Sequence, residues 1–371
     1  MNMKKINVAM IGVGCISGIY LENITKLYKE INLLGVCDLI RERAENAREK
    51  YGVEKIYDTM HDAFNDPDVD IILNLTRPYE HFAVSEGALL HGKHVYTEKP
   101  LGITIEEGER LFALAKEKGL RIGGAPDTFL GAGIQTCRRL IDEGFIGTPI
   151  GSAAFMISRG PEGWHPDPDF FYQKGGGPMM DMGPYYVTAM VNLMGRVKRV
   201  VSAERPSFKE RMIGSQPFAG TPIHVNVDTY VAGTVEYESG AIGTIFTTFD
   251  VHYQGAARFE IYGSEGTLIL PDPNTFGGPI LLYRPEEKEY RQIPLMYEYK
   301  ENSRGLGLAD MAKALQSGRD ARADGQQVFH VLDVLTGFAR SAQAGGWIEM
   351  KTDYERRNAM KLPALKGVLD A

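Results

Sequence analysis

In the first third of the chain, short apolar runs alternate with segments whose apolar residues recur every three or four positions. The apolar runs predict β-strands at residues 6–11, 33–37, 71–75, 94–96 and 120–122. The segments between them predict helices at residues 19–30, 41–51, 60–65, 80–91 and 105–118. Strands that alternate with helices at this spacing build parallel sheets covered by helices on both faces. We therefore expect residues 1–125 to form an α/β domain with a doubly wound parallel sheet.

The pattern changes beyond residue 125. After one more predicted helix at residues 130–143, strand-like segments occupy residues 150–159, 199–205, 228–237, 241–249, 258–262, 266–270, 280–283 and 291–294. Turn-forming residues such as Gly263-Ser264-Glu265-Gly266 separate most of them. Two helical patterns follow at residues 308–317 and 326–344. The sequence thus predicts a second, α+β domain over residues 126–355 and a C-terminal tail over residues 356–371.

Composition narrows the class of protein. A length of 371 residues fits two globular domains. With 41 Lys and Arg against 48 Asp and Glu, the net charge of −7 disfavours nucleic acid as a partner, because that binding depends on phosphate neutralisation. No apolar stretch approaches the roughly 18 residues of a membrane span, and glycines interrupt the apolar N-terminal run, so we expect a cytoplasmic protein. Three scattered cysteines and the absence of ligand-spaced His, Cys or Asp predict neither a disulfide framework nor a metal site.

A glycine-rich turn, Gly12-Val13-Gly14-Cys15-Ile16-Ser17, follows the first predicted strand. Glycines there let the backbone approach a pyrophosphate at the start of the next helix. The second strand ends in Asp38, 21 residues after Ser17, where a carboxylate can bind ribose hydroxyls and would repel a 2′-phosphate. This pattern indicates NAD rather than NADP, although Arg41 and Arg43 argue for NADP. The alternative is an ordinary strand–turn–helix whose Asp caps the following helix.

Two further segments carry candidate chemistry. Glu98-Lys99-Pro100 follows the strand at residues 94–96, at the edge of the sheet where ligands bind. Asp181 and Tyr185 lie four residues apart after a run of three glycines, and on one helix they would share a face. Together a carboxylate and a phenol can hold a substrate hydroxyl and move its proton. Each segment also has an ordinary interpretation, a surface lysine beside a proline and an acidic first turn beside a packed tyrosine.

These motifs occur in one order along the chain, and together they resemble the Gfo/Idh/MocA family of NAD(P)-dependent oxidoreductases. The resemblance covers residues 5–345 and adds three motifs: Thr76 with His81, Gly92-Lys93-His94-Val95, and Ile261-Tyr262-Gly263-Ser264-Glu265-Gly266-Thr267. It implies an N-terminal Rossmann domain and a second domain whose open, mostly antiparallel sheet commonly forms an oligomer interface. A homodimer or homotetramer through that sheet is expected. The residues expected to contact the cofactor are Gly12, Gly14, Cys15, Ile16, Ser17, Asp38, Thr76, Arg77, His81, Glu98 and Lys99.

The resemblance also implies that Lys99 and Asp181 lie beside the nicotinamide. Many members carry histidine four residues after the Asp. Tyr185 at this place is similar to the glucose–fructose oxidoreductase and dihydrodiol dehydrogenase branch. The usual Thr-Pro-Asn after the third strand is replaced by Thr76-Arg77-Pro78.

The sequence therefore predicts an NAD-dependent oxidoreductase that transfers a hydride between a secondary alcohol of a sugar, glycoside or cyclitol and the nicotinamide. Lys99, Asp181 and Tyr185 are the expected catalytic residues, and they bind the substrate together with Trp164 and His165. One alternative is an enzyme that retains NAD(H) and oxidises its substrate transiently, either to exchange electrons between two sugars or to assist an elimination. The other is a nucleotide-binding sensor without turnover.

Overall fold

The computed structural model describes residues 5–253, 255, 258–362, 366–367 and 369–370. The first domain contains a six-stranded parallel sheet. Its strands are β1 (Ile6–Ile11), β2 (Ile31–Cys37), β3 (Lys55–Ile56), β4 (Ile71–Asn74), β5 (His94–Thr97) and β6 (Ile122–Gly124). Its helices are α1 (Ser17–Lys26), α2 (Arg41–Tyr51), α3 (Met60–Asn65), α4 (His81–Leu90) and α5 (Ile105–Glu117).

The strand order β3-β2-β1-β4-β5-β6 confirms the doubly wound Rossmann sheet. Alternate residues of β1 point to opposite faces of the sheet. Val8 and Met10 belong to the apolar cluster that includes α1 and α2. Ala9 and Ile11 belong to the cluster that includes α3, α4 and α5. The order changes direction between β1 and β4. In such sheets a crevice opens at this point, beyond the carboxyl ends of the strands, and ligands bind there.

The second domain is built on a nine-stranded sheet with helices against one face. Its strands, together with the separate pair β9 and β10, are β7 (Pro149–Ile157), β8 (Val197–Arg205), β9 (Glu210–Met212), β10 (Pro222–His224), β11 (Tyr230–Tyr237), β12 (Ile242–Thr248), β13 (Arg258–Gly263), β14 (Thr267–Ile269), β15 (Ile280–Tyr283), β16 (Tyr290–Ile293) and β17 (Ile348–Glu349). The helices are α6 (Ala132–Asp142), α7 (Gly177–Asp181), α8 (Gly183–Met194), α9 (Leu306–Ser317) and α10 (Gly325–Ala344).

The nine strands lie in the order β16-β15-β14-β13-β7-β12-β11-β8-β17. Among the described strands of this sheet, β7 and β12 alone pair in parallel. The prediction of an α+β domain with a mostly antiparallel sheet is therefore confirmed. The short strands β3, β9, β10 and β17 were not predicted, because two or three residues carry no readable alternation. None of the helices in the described ranges is long and apolar enough to cross a membrane.

One strand boundary differs from the prediction for a physical reason. The strand expected at residues 120–122 corresponds to β6, which begins at Ile122 and continues through Gly123 and Gly124. A side chain at Gly123 would meet the carbonyl oxygen of Ala323 at 2.9 Å, so close packing against the segment before α10 requires glycine there. Glycine weakens the sequence signal of a strand, and the prediction therefore stopped short.

The predicted division into residues 1–125, 126–355 and 356–371 stays a prediction. Residues 1–4, 254, 256–257, 363–365, 368 and 371 of it lie outside the described part. The described beginning of the predicted tail packs on the second domain. Met360 is buried, and its amide donates to Gln135 Oε1 at 2.8 Å. The Arg356 guanidinium donates to the carbonyl oxygen of Leu193 at 2.9 Å.

Candidate active site

The glycine turn after β1 has the geometry of an anion cradle. Gly12 has a φ of +95°, and a side chain there would lie 2.7 Å from the carbonyl oxygen of Leu75, so only glycine fits. A side chain added at Gly14 would meet no described atom within 4 Å, which leaves open space before α1. At the start of α1, within the described structure, Ile16 provides no side-chain cap. The Ser17 amide donates to the Gly14 carbonyl oxygen at 3.2 Å and closes the turn. With no cap from Ile16, the amides that follow Ser17 leave this helix end suited to an anion such as pyrophosphate.

Asp38 lies at the end of β2 and connects this turn to the start of α2. Its carboxylate accepts hydrogen bonds from the amides of Val13 at 2.6 Å and Ile40 at 2.8 Å. Arg43 Nη1 lies 3.9 Å away, at the outer limit of an ion pair. Arg41 instead pairs with Glu45 on its own helix and with Asp58, which follows β3. The geometry thus places a fixed negative charge beside the turn, which favours a ribose diol over a 2′-phosphate.

The loop after β4 is fixed by a buried histidine. The His81 ring lies between the carbonyl oxygens of Pro100, 2.7 Å from Nδ1, and Thr76, 3.0 Å from Nε2. Burial lowers the pKa of His81. Both ring nitrogens face backbone oxygens, but a neutral imidazole has a single N–H. His81 therefore donates to one of the two loop carbonyl oxygens and packs against the other. Arg77 extends across the crevice and its Nη2 lies 2.6 Å from Asp167 Oδ2 in the second domain.

Lys99, Asp181 and Tyr185 meet where the two domains face each other. Lys99 Nζ lies 2.7 Å from Asp181 Oδ1, 2.7 Å from the Asp181 carbonyl oxygen and 5.2 Å from the centre of the Tyr185 ring. Burial alone would lower the pKa of Lys99, but the nearby Asp181 carboxylate, the Tyr185 hydroxyl and Glu98 outweigh it and raise the pKa. Lys99 is therefore an ammonium donor held in place by a carboxylate. The three predicted catalytic residues are brought together.

The helix that carries Asp181 and Tyr185 is interrupted, and the prediction that both lie on one helix is wrong. Helix α7 ends at Asp181 and α8 begins at Gly183. Pro184 lacks the amide hydrogen that would continue the hydrogen-bond ladder through this point. Both side chains still approach Lys99, because the break is a single residue, Met182, that keeps a right-handed helical conformation.

Glu98 connects helix α1 to the loop that carries Lys99. Its carboxylate accepts hydrogen bonds from the Tyr20 hydroxyl at 2.8 Å and from the Lys99 amide at 3.0 Å. Glu98 is buried and Tyr20 fully so. The contact ties α1 of the dinucleotide turn to the loop that carries Lys99. Tyr20 was not singled out in the sequence because an aromatic residue on a buried helix face is ordinary core.

The loop between β7 and α7 forms the opposite wall. His165 packs edge-to-face on Phe171, with ring centres 5.1 Å apart, and its Nδ1 accepts the Asp167 amide at 3.1 Å. Burial lowers the pKa of His165. Trp164 is 70% exposed and contacts the edge of His165. Their assignment as substrate contacts stays a prediction.

A buried ion-pair network anchors this loop. Arg211 on β9 pairs with Glu162 and with Asp250, the latter at 2.9 Å. The Tyr172 hydroxyl donates to the same Glu162, and Thr229 Oγ1 donates to Asp250 at 2.7 Å. Breaking a buried ion pair costs several kcal/mol of folding free energy. These contacts therefore fix the position of the loop between β7 and α7.

Arg304 is a residue of the site that the sequence did not reveal. Its Nη2 lies 3.4 Å from the Tyr185 hydroxyl and 2.7 Å from Asn274 Oδ1. Burial alone would lower the pKa of Arg304, but the neighbouring Tyr185, Glu98 and Asp127 raise it. A lone arginine in a loop, 119 residues from its contact, follows no motif.

Comparison with known families decides the assignment. Residues 6–124 match the family model described as an oxidoreductase family with an NAD-binding Rossmann fold. Residues 134–269 match the model of the GFO/IDH/MocA C-terminal domain. The chain belongs to the Gfo/Idh/MocA family. This Gfo/Idh/MocA protein is therefore an NAD-dependent oxidoreductase, and the open turn at Gly14 and the carboxylate of Asp38 fit that cofactor.

Relatives of this Gfo/Idh/MocA oxidoreductase include dehydrogenases of known substrate. It is 27% identical to myo-inositol 2-dehydrogenase of Thermotoga maritima over 97% of this chain and 99% of the relative. It is 29% identical to D-xylose dehydrogenase of Paenarthrobacter nicotinovorans over 68% of this chain and 66% of the relative. Levoglucosan dehydrogenase in complex with NADH and L-sorbose shares its fold, with a TM-score of 0.81 at 19% identity over 95% of this chain and all of that chain.

Proposed function

We propose that this chain transfers a hydride between NAD and a secondary alcohol of a small polyhydroxylated substrate, a sugar, glycoside or cyclitol. The observation that carries the proposal is the meeting of Lys99, Asp181 and Tyr185 at the crevice, with Lys99 Nζ 2.7 Å from the Asp181 carboxylate. Relatives that act on myo-inositol and D-xylose support the substrate class.

Each residue has a distinct role in this proposal. NAD supplies the hydride chemistry when it is bound, and the protein supplies orientation and proton transfer. Lys99 donates a hydrogen bond to the reacting oxygen, Asp181 holds that ammonium in place, and Tyr185 exchanges the proton of the hydroxyl. Such general acid–base help typically contributes about 10²–10⁴-fold in rate.

Cofactor contacts are proposed for the residues around the crevice. Gly12, Gly14, Cys15, Ile16 and Ser17 would hold the pyrophosphate, and Asp38 would bind the adenosine ribose. The loop contacts proposed from the sequence come from Thr76, Arg77, His81, Glu98 and Lys99. For His81 and Glu98 the geometry supports an indirect contribution, through the loops that they fix.

The test is a substrate panel assayed by absorbance of reduced nicotinamide. Purified protein with NAD⁺ is offered myo-inositol, D-xylose, levoglucosan and simple pyranosides, with a primary alcohol as the matched negative control. We expect reduction with at least one ring polyol and none with the primary alcohol. Binding of NAD⁺ without reduction by any polyol would favour a nucleotide-binding sensor. NADH that stays with the protein through purification would favour transient oxidation with retained cofactor.

We also propose a homodimer or homotetramer formed through the outer face of the nine-stranded sheet. Ala232, Phe246 and Phe155 lie side by side across three strands on the face that the helices leave uncovered. Ile242 and Ile150, on neighbouring strands, are 59% and 57% exposed. A second copy would bury this surface.

Light scattering tests the assembly. A mass of two or four chains is expected, and Ile242→Lys should lower it without unfolding the protein, because the side chain is exposed in one chain. A monomeric mass for the unmodified protein at micromolar concentration would contradict the proposal. The cytoplasmic location inferred from the sequence stays a prediction.

A further inference from the structure

The backbone at Arg304, at the edge of the active site, is fixed by hydrogen bonds from other segments. Asn23 of α1 donates to the Arg304 carbonyl oxygen at 2.9 Å. The next amide, that of Gly305, donates to the buried Asp127 carboxylate at 2.8 Å. The backbone is thus fixed on both sides of Arg304 by the side chains of Asn23 and Asp127. A surface arginine has no such constraint, so the direction of this side chain is determined by the fold.

Among the described residues, the hydrogen-bond partners of the Arg304 guanidinium are all neutral groups. Nη1 lies 2.9 Å from Asn302 Oδ1, and Nη2 lies 2.7 Å from Asn274 Oδ1 and 3.4 Å from the Tyr185 hydroxyl. Across the described ranges, no ion-pairing carboxylate lies within 4 Å of it. A partly buried cation without a carboxylate partner is unusual, since buried charges are normally paired. Of the three predicted catalytic residues, Tyr185 is the one that the guanidinium contacts, so the field of Arg304 acts on its hydroxyl.

A guanidinium donates hydrogen bonds and cannot accept them. Contact with Arg304 therefore uses a lone pair of the Tyr185 oxygen and leaves the phenol proton directed elsewhere. The ammonium of Lys99 also lies near this ring, 5.2 Å from the ring centre. A negative charge on Tyr185 would consequently be close to two cations, Lys99 and Arg304.

We propose that Arg304 is a positioning residue for proton transfer at Tyr185, which orients the phenol and stabilises the phenolate formed when its proton leaves. The inference rests on the proposed function. When a ketone is reduced, its carbon receives the hydride of the reduced nicotinamide and its oxygen receives the Tyr185 proton, so that a phenolate remains. In alcohol oxidation the phenolate takes the hydroxyl proton back while the carbon gives up the hydride.

A double-mutant cycle tests this coupling. Arg304→Met is made in the native chain and in Tyr185→Phe, and kcat and KM are measured with a substrate found in the polyol panel. In the native chain we expect kcat to fall about tenfold or more. In the Tyr185→Phe background the same change should cost less than about twofold, because no phenol proton remains to be positioned. Arg304→Lys, which keeps the charge, should recover part of the loss.

Measurements other than turnover separate this role from a structural one. Affinity for NAD⁺ by calorimetry and the thermal unfolding midpoint should stay close to those of the native chain. Arg304→Gln replaces Arg304→Met if the latter does not fold. Arg139→Gln, which removes an exposed arginine paired with Glu143 on α6, should leave kcat unchanged.

Three results would overturn the inference. Equal losses in both backgrounds would show a general structural effect, and a rise in KM confined to acidic substrates would show a direct substrate contact. Native activity in Arg304→Met would show no role at all. Failure of the proposed function is distinct, since the unmodified protein would then reduce NAD⁺ with no polyol, and the inference would fall with it.

Discussion

Replacement of Asp38 should change the cofactor that this enzyme accepts. The carboxylate is held by the Val13 and Ile40 amides, and its side chain is only 8% exposed, so it cannot turn away from a ligand. A 2′-phosphate carries a charge of about −2. At about 4 Å its repulsion by a carboxylate amounts to about 1 kcal/mol per unit charge in water-like surroundings. Removal of the charge should therefore improve NADP⁺ binding by about 2 kcal/mol, or roughly 30-fold.

NAD⁺ binding should weaken in the same variants, because a hydrogen bond from ribose to a charged acceptor is worth about 1.5–3 kcal/mol. We would measure both dissociation constants by calorimetry for Asp38→Ser and Asp38→Asn. Asn keeps one acceptor for the two amides, so it checks that the turn itself is intact. Asp68→Asn is the matched control, since this exposed carboxylate precedes β4 at the opposite edge of the sheet.

Arg43 allows the repulsion of a 2′-phosphate by Asp38 to be separated from its attraction by a nearby arginine. Its Nη1 lies 3.9 Å from the Asp38 carboxylate, and in Asp38→Ser it becomes free to attract a phosphate. Adding Arg43→Ala to Asp38→Ser should therefore remove part of the gain for NADP⁺. Tighter binding of NADP⁺ than of NAD⁺ by the unmodified protein would refute the reasoning, as would an unchanged preference in Asp38→Ser.

Three further perturbations have defined outcomes. Lys99→Met should reduce kcat by about 10²–10³-fold. Lys93→Met is its control, because Lys93 is a buried ammonium that donates to two carbonyl oxygens remote from the site. This control should lower the free energy of unfolding by about 2–3 kcal/mol and leave kcat unchanged. Equal kcat losses in the two lysine variants would contradict the assignment. Tyr185→Phe should slow turnover at least about tenfold while NAD⁺ affinity is kept, and native turnover would transfer the proton role to Lys99. Burial lowers the pKa of His330 from 6.5 to about 4, so the unfolded chain binds the proton more readily and the unfolding free energy should fall as pH drops from 6.5 through 4. The fall amounts to about 3 kcal/mol, and urea denaturation of His330→Gln should lack it.

Local patterns were sufficient to predict the first domain except for its short strand β3. The turn at Gly12 and the carboxylate of Asp38 lie within one strand–helix–strand unit, where glycine positions and strand ends are visible in the sequence. The structure adds the reason for Gly12, its approach to the Leu75 carbonyl oxygen. The proline that interrupts the helix after Asp181 was also visible, and greater weight on Pro184 would have predicted the break.

Contacts between distant segments could not be derived in this way. Lys99 and Asp181 are 82 residues apart, and their meeting was expected only through the family resemblance. Arg304 has neither a motif nor a neighbour in sequence that marks it, and its role depends on Asn23 and Asp127, which fix its backbone. The packing of two domains determines such contacts, and hydrophobic periodicity does not report it.

Transfer of deuterium from substrate to cofactor tests the central claim most directly. A ring polyol active in the panel, with deuterium in place of hydrogen on its ring carbons, is incubated with NAD⁺ and either the unmodified protein or Lys99→Met. The account predicts that mass spectrometry finds deuterium on the reduced nicotinamide with the unmodified protein and almost none with Lys99→Met. Reduced nicotinamide without deuterium, or equal transfer by both proteins, would contradict it.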